Sequence, residues 1–285
     1  MNEIINVSQS TMLEALNRSE VDMQIATAKA YPRDVKTSLE RIKAMAKADE
    51  ETANGCFYHL SRGGDEINGV SVRMAEIIAA CWGNLRVQSR IIGNDGRTIT
   101  AQGVCHDLET NLAVSVEVKR RIVDSKGRTY SEDMQVVTGN AACSIAFRNA
   151  VLKVVPKAVT QGVINEIQAE VKENIDIAKS RQQCVGYFVS LGVSEKQLFE
   201  FLDVNSMEEI TADMIMNLRG IATAIKEGTT TVQETFIKPA EEKEAAAKAK
   251  AKSEDAKKRA DEAIARSVNK VHTPDEKTQQ GENNK

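Results

Sequence analysis

Three consecutive segments with alternating apolar and polar residues constrain the fold of this chain most tightly. They read "LRVQSRII", "RTITAQGVC" and "LAVSVEVKRRIV", and the short segments "GNDG" and "DLETN" separate them. A period of two is typical of strands that bury one face, and connections this short join antiparallel neighbours. The sequence therefore predicts an antiparallel β-meander, and "MQVVT" is predicted as a short fourth strand.

Helical patterns flank the meander on both sides. A helix is predicted after Asp34, and a second over "VSVRMAEIIAACW", where "GN" marks the C-terminus. The glycine-rich "GCFYHLSRGGDEINGVS" between them is predicted as a loop. A long helix, "GNAACSIAFRNAVLKVVPKAV" over 139–159, follows the strands. We therefore predict an α+β fold in which helices pack on one face of the meander.

The chain divides into four predicted segments. Residues 1–33 form an N-terminal segment with a short helix, and 34–160 form the α+β core. Residues 161–237 read as a small all-α module, and 238–285 as a charged tail of Ala, Lys and Glu that is helical or partly disordered. This order indicates one principal domain, followed along the chain by a smaller helical module.

Charge is distributed unevenly along the chain. Residues 31–158 carry 18 basic and 15 acidic side chains, whereas 159–237 carry 6 and 12. The contrast favours a polyanion-facing core and a C-terminal module with a different task. No run of 18 apolar residues and no secretory signal is present, and the five cysteines form no CxxC pair. We expect a soluble, cytoplasmic protein without a membrane partner.

Groups that would support catalysis are scarce. "CHD" over 105–107 places neighbouring side chains on opposite faces of a strand, and the glycine-rich loop lacks P-loop spacing. A metal-dependent nuclease would require Asp95, Asp107 and Glu109 to converge. We expect a protein that is not an enzyme and that needs no cofactor and no metal.

Cations lie where a polyanion could bind. On the strands, Arg86 and Arg90 oppose Val87, and Lys119 and Arg121 lie on the polar side of the third strand. On the long helix, Lys153 and Lys157 follow Asn149 at intervals of four, with Arg148 on the adjoining row. Such cations contact phosphates, which supply most non-specific nucleic-acid affinity. The alternative is a solvated sheet face and one solvated helix edge.

The ordered set "INGVSVRMAEIIAACWGNLRVQSRII", "GRTITAQGVCHDLETNLAVSVEVKRRIVDSKGR" and "GNAACSIAFRNAVLKVVPKAV" resembles bacteriophage single-strand annealing proteins of the RecT, Redβ and Erf kind. The likeness is one of pattern and covers roughly residues 35–160. It implies ATP-independent annealing of complementary DNA strands during recombination, with one strand held in a basic groove. Carried over by position, the DNA-binding candidates are Arg86, Arg90, Lys119, Arg121, Arg148, Lys153 and Lys157, completed by Arg97 and Arg62.

The same resemblance implies partners. Such proteins assemble as rings or helical filaments, which would make weak binding by each subunit effective through multivalency. Their C-terminal part implies contacts with a partner exonuclease or a single-strand-binding protein, and a phage-encoded chain would act in the host cytoplasm. The rival hypotheses are a scaffold that oligomerises without binding DNA, and the nuclease described above.

Overall fold

The computed structural model describes residues 2–62, 65–124 and 126–237, and the predicted charged tail over 238–285 lies outside this range. Along the described chain the elements are α1 (Asn2–Ala30), α2 (Val35–Ala46), α3 (Glu50–Gly55), β1 (Phe57–Arg62), β2 (Asp65–Val70), α4 (Val72–Trp82), β3 (Leu85–Asn94), β4 (Thr98–Asp107), β5 (Leu112–Arg121), α5 (Glu132–Val154), α6 (Lys157–Glu173), α7 (Ile177–Ser190), α8 (Glu195–Leu202) and α9 (Ala212–Lys226). A 3-10 turn spans Met207–Glu209, and a π-helical turn spans Gln233–Ile237.

The predicted meander is confirmed. Strands β3, β4 and β5 pair in that order, and both pairings are antiparallel. Gly96 and Asn111 adopt positive φ angles of 79° and 57° in the two connecting turns, a conformation that Gly and Asn tolerate best. The α+β fold class, with helices packed on the sheet and a helical module behind it, is likewise confirmed.

The predicted fourth strand is wrong, because "MQVVT" lies within α5. The hydroxyl of Ser131 accepts a hydrogen bond from the Met134 amide, and Glu132 and Asp133 occupy the first turn. This cap and these carboxylates favour a helix start here. They outweigh the strand preference of the valines at 136 and 137, which are exposed.

The predicted glycine-rich loop is instead the β1–β2 hairpin, which pairs from Phe57↔Val70 to Arg62↔Asp65. Helix α9 packs directly on β1: a Cβ added to Gly220 would lie 2.7 Å from the backbone nitrogen of His59. The hairpin therefore gains contacts from a helix far along the chain, and local glycine content gave no sign of this support.

Helix α5 covers one face of the meander, and Gly103 in β4 makes this close contact possible. A Cβ on Gly103 would lie 2.2 Å from the carbonyl oxygen of Ala146. Ala101, Ala142 and Ala146 form a small apolar cluster beside it. We call this covered face the inner face of the sheet and its opposite the outer face. The inner face continues into the main core with α2, α4 and α6.

Two predicted boundaries need correction. The helix predicted as short within the N-terminal segment is α1, which spans 29 residues from Asn2 to Ala30. The boundary at residue 160 falls inside α6, because Pro156 is the N-cap that starts this helix rather than a break between domains. Buried Ile164 and Ile167 belong to the main core, so that core extends through α6.

The helical module has a core of its own but is tied to the rest of the domain. Buried Phe188, Leu198 and Ile215 belong to this second core. A carboxylate oxygen of Glu227 accepts a hydrogen bond from the Val72 amide at 2.7 Å. The guanidinium of Arg120, on the inner face of β5, donates to the carbonyl oxygens of Gly228 and Thr229.

We predict that Gly103→Ala lowers the free energy of unfolding by about 1–3 kcal/mol, because helix and sheet must separate to admit the methyl group. The matched control is Gly162→Ala in α6, where a Cβ would meet no atom within 4 Å. That change should raise stability by about 1 kcal/mol through helix propensity. Urea unfolding of both variants measures the difference, and equal effects would refute the close contact at Gly103.

Candidate nucleic-acid interface

The outer face of the sheet gathers polar and cationic side chains from all three strands. The strand register aligns Arg86 with His106, Arg90 with Gln102 and Glu117, Thr100 with Lys119, and Thr98 with Arg121. Because side chains alternate across a strand, these residues point away from the inner face that α5 covers. The predicted polar face therefore exists as one continuous surface.

Arg90, Lys119 and Arg121 are exposed on this face. Arg90 donates a hydrogen bond to the Oε1 atom of Gln102 at 3.3 Å, and Glu117 is the carboxylate opposite Gln102 in the strand register. Three cations thus accompany one carboxylate among neutral polar side chains. This surface can meet a polyanion without first breaking a buried ion pair.

Arg86 lies at the end of the outer face nearest α1 and is partly engaged there. Its Nη1 atom is 3.1 Å from the Oε1 atom of Gln24 and 3.5 Å from the Oε1 atom of Glu20. Its side chain is 26% exposed. Helix α1 therefore engages one of the four cations on the outer face, which are Arg86, Arg90, Lys119 and Arg121.

Arg97 is exposed in the turn between β3 and β4, which also contains the carboxylate of Asp95. Hydrogen bonds from the Thr98 hydroxyl and from the Arg97 and Thr98 amides lower the pKa of Asp95 to about 2. Lys119 lowers this pKa slightly further. Asp95 stays negative at neutral pH, so the turn that carries Arg97 also carries a carboxylate.

Two cations outside the predicted set lie near this turn. Lys126 and Arg128 are exposed in the turn after β5, and the Thr129 hydroxyl donates to the carbonyl of Gly96 at 3.3 Å. Arg128 forms an ion pair with Asp124 at 2.8 Å. The segment "SKGR" shows both cations in the sequence. Only the contact between the turn after β5 and the β3–β4 turn places them near Arg97.

Arg148 is the clearest departure from the predicted groove. It is 7% exposed, its guanidinium carbon lies 4.8 Å from the Tyr58 ring centroid, and its Nη1 atom lies 4.0 Å from the Oε2 atom of Glu227. Burial raises the pKa of Glu227, although the Val72 amide and Arg148 act to lower it. The C-terminal end of α9 covers the side of α5 on which Arg148 lies, so this residue joins α5 to the helical module instead of facing a groove.

The remaining predicted cations lie apart from the sheet surface. Lys153 and Lys157 are exposed, but they belong to α5 and α6, on the side of the sheet opposite Arg90 and Lys119. The backbone of Arg62 lies in β1, and its side chain lies outside the described residues. The structure therefore brings together the sheet cations and does not bring the helical lysines into the same surface.

The three carboxylates of the nuclease hypothesis do not converge. Asp107 is 4% exposed, and both it and Glu109 pair with Arg33. Asp95 lies at the opposite end of β4, a strand of ten residues and thus roughly 30 Å long. Cys105 points to the inner face, where burial raises its thiol pKa to about 11, and His106 points outward. Within the described ranges, no group of three His, Cys, Asp or Glu side chains is placed to hold a metal ion.

Comparison of the chain with protein families, with curated proteins and with solved structures found no match. In the part of the chain that the structure describes, no helix is both long and apolar enough to cross a membrane. The outer face of the sheet is thus defined by its own geometry, which is that of exposed cations on a mostly polar surface of three antiparallel strands.

We predict that Arg148→Met lowers the free energy of unfolding by about 3–5 kcal/mol, because Glu227 is left buried without its cation. Combining it with Glu227→Gln should recover much of this loss, since the amide retains the bond from Val72 and carries no charge. Chemical denaturation of Arg148→Met, Glu227→Gln and the double variant tests the coupling. Lys153→Met, an exposed change on the same helix, should stay within about 0.5 kcal/mol of the parent. Additive costs for Arg148 and Glu227 would contradict the pairing.

Proposed function

We propose that the outer face of the sheet binds the phosphate backbone of single-stranded DNA, and that the protein anneals complementary strands without ATP. The observation that carries the proposal is the exposed set Arg90, Lys119 and Arg121, drawn together on one face by the register of β3, β4 and β5. The resemblance to phage annealing proteins supports the same function independently of this geometry.

The composition of the face favours phosphates over bases as its contacts. None of the described side chains on the outer face is Phe, Tyr or Trp, so the stacking platforms that hold bases in many single-strand binders are missing from it. Gln102 and Thr100 supply hydrogen-bond donors of the kind that contact phosphate and sugar. A strand held by its backbone keeps its base edges free to pair, and base pairing then supplies the sequence specificity.

Because the outer face of one subunit carries only a modest positive charge, the proposed strand binding requires many copies acting together. Glu117 and the engagement of Arg86 by Glu20 leave Arg90, Lys119 and Arg121 as the free cations of the outer face in each subunit. A strand that spans several subunits gains affinity from multivalency, so the proposed active form is a ring or helical filament. This recombination activity is not enzymatic and uses no cofactor. We place it in the cytoplasm, the host's if the chain is phage-encoded, where the five free cysteines stay reduced.

We assign contacts with partner proteins to the helical module and not to the sheet. Residues 159–237 carry 12 acidic and 6 basic side chains, so this part repels nucleic acid. A partner exonuclease or single-strand-binding protein is the contact that we propose for it, in keeping with the family resemblance.

The decisive experiment follows the pairing of two complementary, fluorescently labelled oligonucleotides without ATP, with a buffer-only reaction as reference. We expect faster pairing and intact strands. Strand cleavage that depends on magnesium would favour the nuclease hypothesis. The absence of both binding and acceleration would favour a scaffold.

We predict that the triple variant Arg90→Gln, Lys119→Gln, Arg121→Gln binds a labelled oligonucleotide more weakly. Its plot of log affinity against log salt should be shallower by about 2, because each lost phosphate contact in a single strand removes about 0.7. Fluorescence anisotropy over a salt series measures both quantities.

The control for this variant carries the same change in net charge. Lys153→Gln, Lys157→Gln and Lys179→Gln remove three exposed lysines from α5, α6 and α7, away from the outer face. The control should keep the salt slope of the parent chain. If both triple variants flatten the slope equally, binding reflects overall charge and the sheet face is not the site.

A further inference from the structure

A small cleft opens where helices α6 and α9 meet the β1–β2 hairpin. Its volume is about 280 Å³, and the hairpin, α6 and α9 each contribute part of its lining. Helix α9 packs on the hairpin through Gly220, and an ion pair of 2.6 Å between Lys172 of α6 and Asp213 of α9 joins the two helices. The cleft therefore combines residues that lie far apart along the chain.

His59 of β1 is a buried polar residue in this lining, and it is 4% exposed. Its Nδ1 atom is hydrogen-bonded to the Oδ1 atom of Asn68, the residue opposite it in the hairpin. Because a carboxamide oxygen only accepts, Nδ1 carries the hydrogen, and in the neutral ring Nε2 keeps a lone pair. The Nε2 atom has no hydrogen-bond partner among the described residues, and it is not one of the fully buried polar atoms that lack a partner. It is therefore open to the cleft.

Three carboxamide side chains line the cleft together with this imidazole. Asn68 lies in β2, Gln168 in α6 and Asn217 in α9. Within the described part of the chain, the side chains of Gln168 and Asn217 make no hydrogen bond to another residue. A carboxamide donates and accepts hydrogen bonds at the same time. The cleft thus presents unpaired donors and acceptors in addition to the lone pair of His59.

The rest of the lining is apolar or internally paired. Phe57 and Met216 supply apolar surface, of the kind that packs on an aromatic ring. Lys172 and Asp213 are the only charged side chains among the lining residues, and they pair with each other. A charged ligand would find no free counter-ion in this lining. The cleft therefore suits a neutral, planar molecule that carries both hydrogen-bond donors and acceptors.

We propose that this cleft binds an adenine base. Asn and Gln side chains form bidentate hydrogen bonds with the edge of adenine, and the exocyclic amine of adenine can donate to the lone pair on Nε2 of His59. Enzymes that hold a single base likewise combine hydrogen bonds to its edge with stacking on apolar or aromatic side chains. The neutral lining and its carboxamides thus match the base itself and not a phosphate group.

The size of the cleft limits the ligand to one base. Its volume of about 280 Å³ lies just below the usual range for sites that take drug-sized ligands. The base can come from a free nucleoside or from a DNA strand, since both present the same ring. The lining belongs to the hairpin, α6 and α9 and not to the outer face of the sheet, so the proposal does not rest on strand binding there.

The three histidines of the chain allow a direct test, because nitrogen NMR spectra of the imidazole rings can follow each ring separately. His106→Gln and His272→Gln assign the other two rings, so buried His59 need not be changed. During a titration with adenosine, we expect the Nε2 resonance of His59 to move and those of His106 and His272 to stay in place. Inosine, in which a carbonyl oxygen replaces the exocyclic amine, should bind at least about fivefold more weakly, since it presents an acceptor to the lone pair.

Two leucine variants test the carboxamides, and a third serves as their control. Asn217→Leu removes a half-buried amide and Gln168→Leu an exposed one, and each should weaken adenosine binding at least about fivefold. Gln182→Leu makes the same change at an exposed position of α7, outside the cleft, and should bind adenosine as the parent does. Leucine is a strong helix former, so all three variants should keep the circular dichroism spectrum of the parent.

Competition with short oligonucleotides identifies the source of the base. Displacement of adenosine by oligo(dA) but not by oligo(dT) shows that a base within a strand enters the cleft, and displacement by neither assigns the cleft to free nucleosides. An unmoved His59 signal, equal binding of adenosine and inosine, equal displacement by both oligonucleotides, or equal affinities of Gln168→Leu and Gln182→Leu would each overturn the proposal. None of these results alters the salt dependence that tests the outer face of the sheet.

Discussion

The close packing of α5 against β4 is the contact on which the rest of the structure depends. Gly103 brings the strand against the backbone of Ala146, and small side chains on both elements let helix and sheet approach. This contact commits one face of the meander to the core. Because strand side chains alternate, the opposite face must present the polar set, and the cations Arg90, Lys119 and Arg121 are brought together as a consequence. The candidate interface is thus the reverse side of the core.

A second constraint joins the helical module to this core. Glu227, at the end of α9, accepts a hydrogen bond from the first residue of α4 and faces Arg148 in α5. A buried guanidinium requires a nearby carboxylate, since an unpaired buried charge is costly. The cation that looked most out of place in an apolar helix is therefore explained by a contact within the domain. The contacts proposed for nucleic acid lie on the other side of the sheet.

Local pattern predicted much of the fold because its causes are local. The alternation in β3, β4 and β5 and the short turns between them were sufficient for the meander, and the glycine after α4 marked its end. Predictions were wrong where distant contacts or caps outweighed local preference. The β1–β2 hairpin is supported by α9, and Ser131 with two following carboxylates turned a strand-like segment into the start of α5. The predicted boundary at residue 160 is wrong because α6 packs into the main core.

The same distinction between local pattern and distant contacts applies to the candidate site. By itself, the sequence determined which strand residues share a face, because a period of two is a property of the extended backbone. Only the tertiary structure decided that this face stays open, that α1 engages Arg86, and that Arg148 is buried against Glu227. The two partners of that ion pair lie far apart along the chain, and no periodicity relates them. The way in which the helices cover the sheet determines which cations remain free to meet a polyanion.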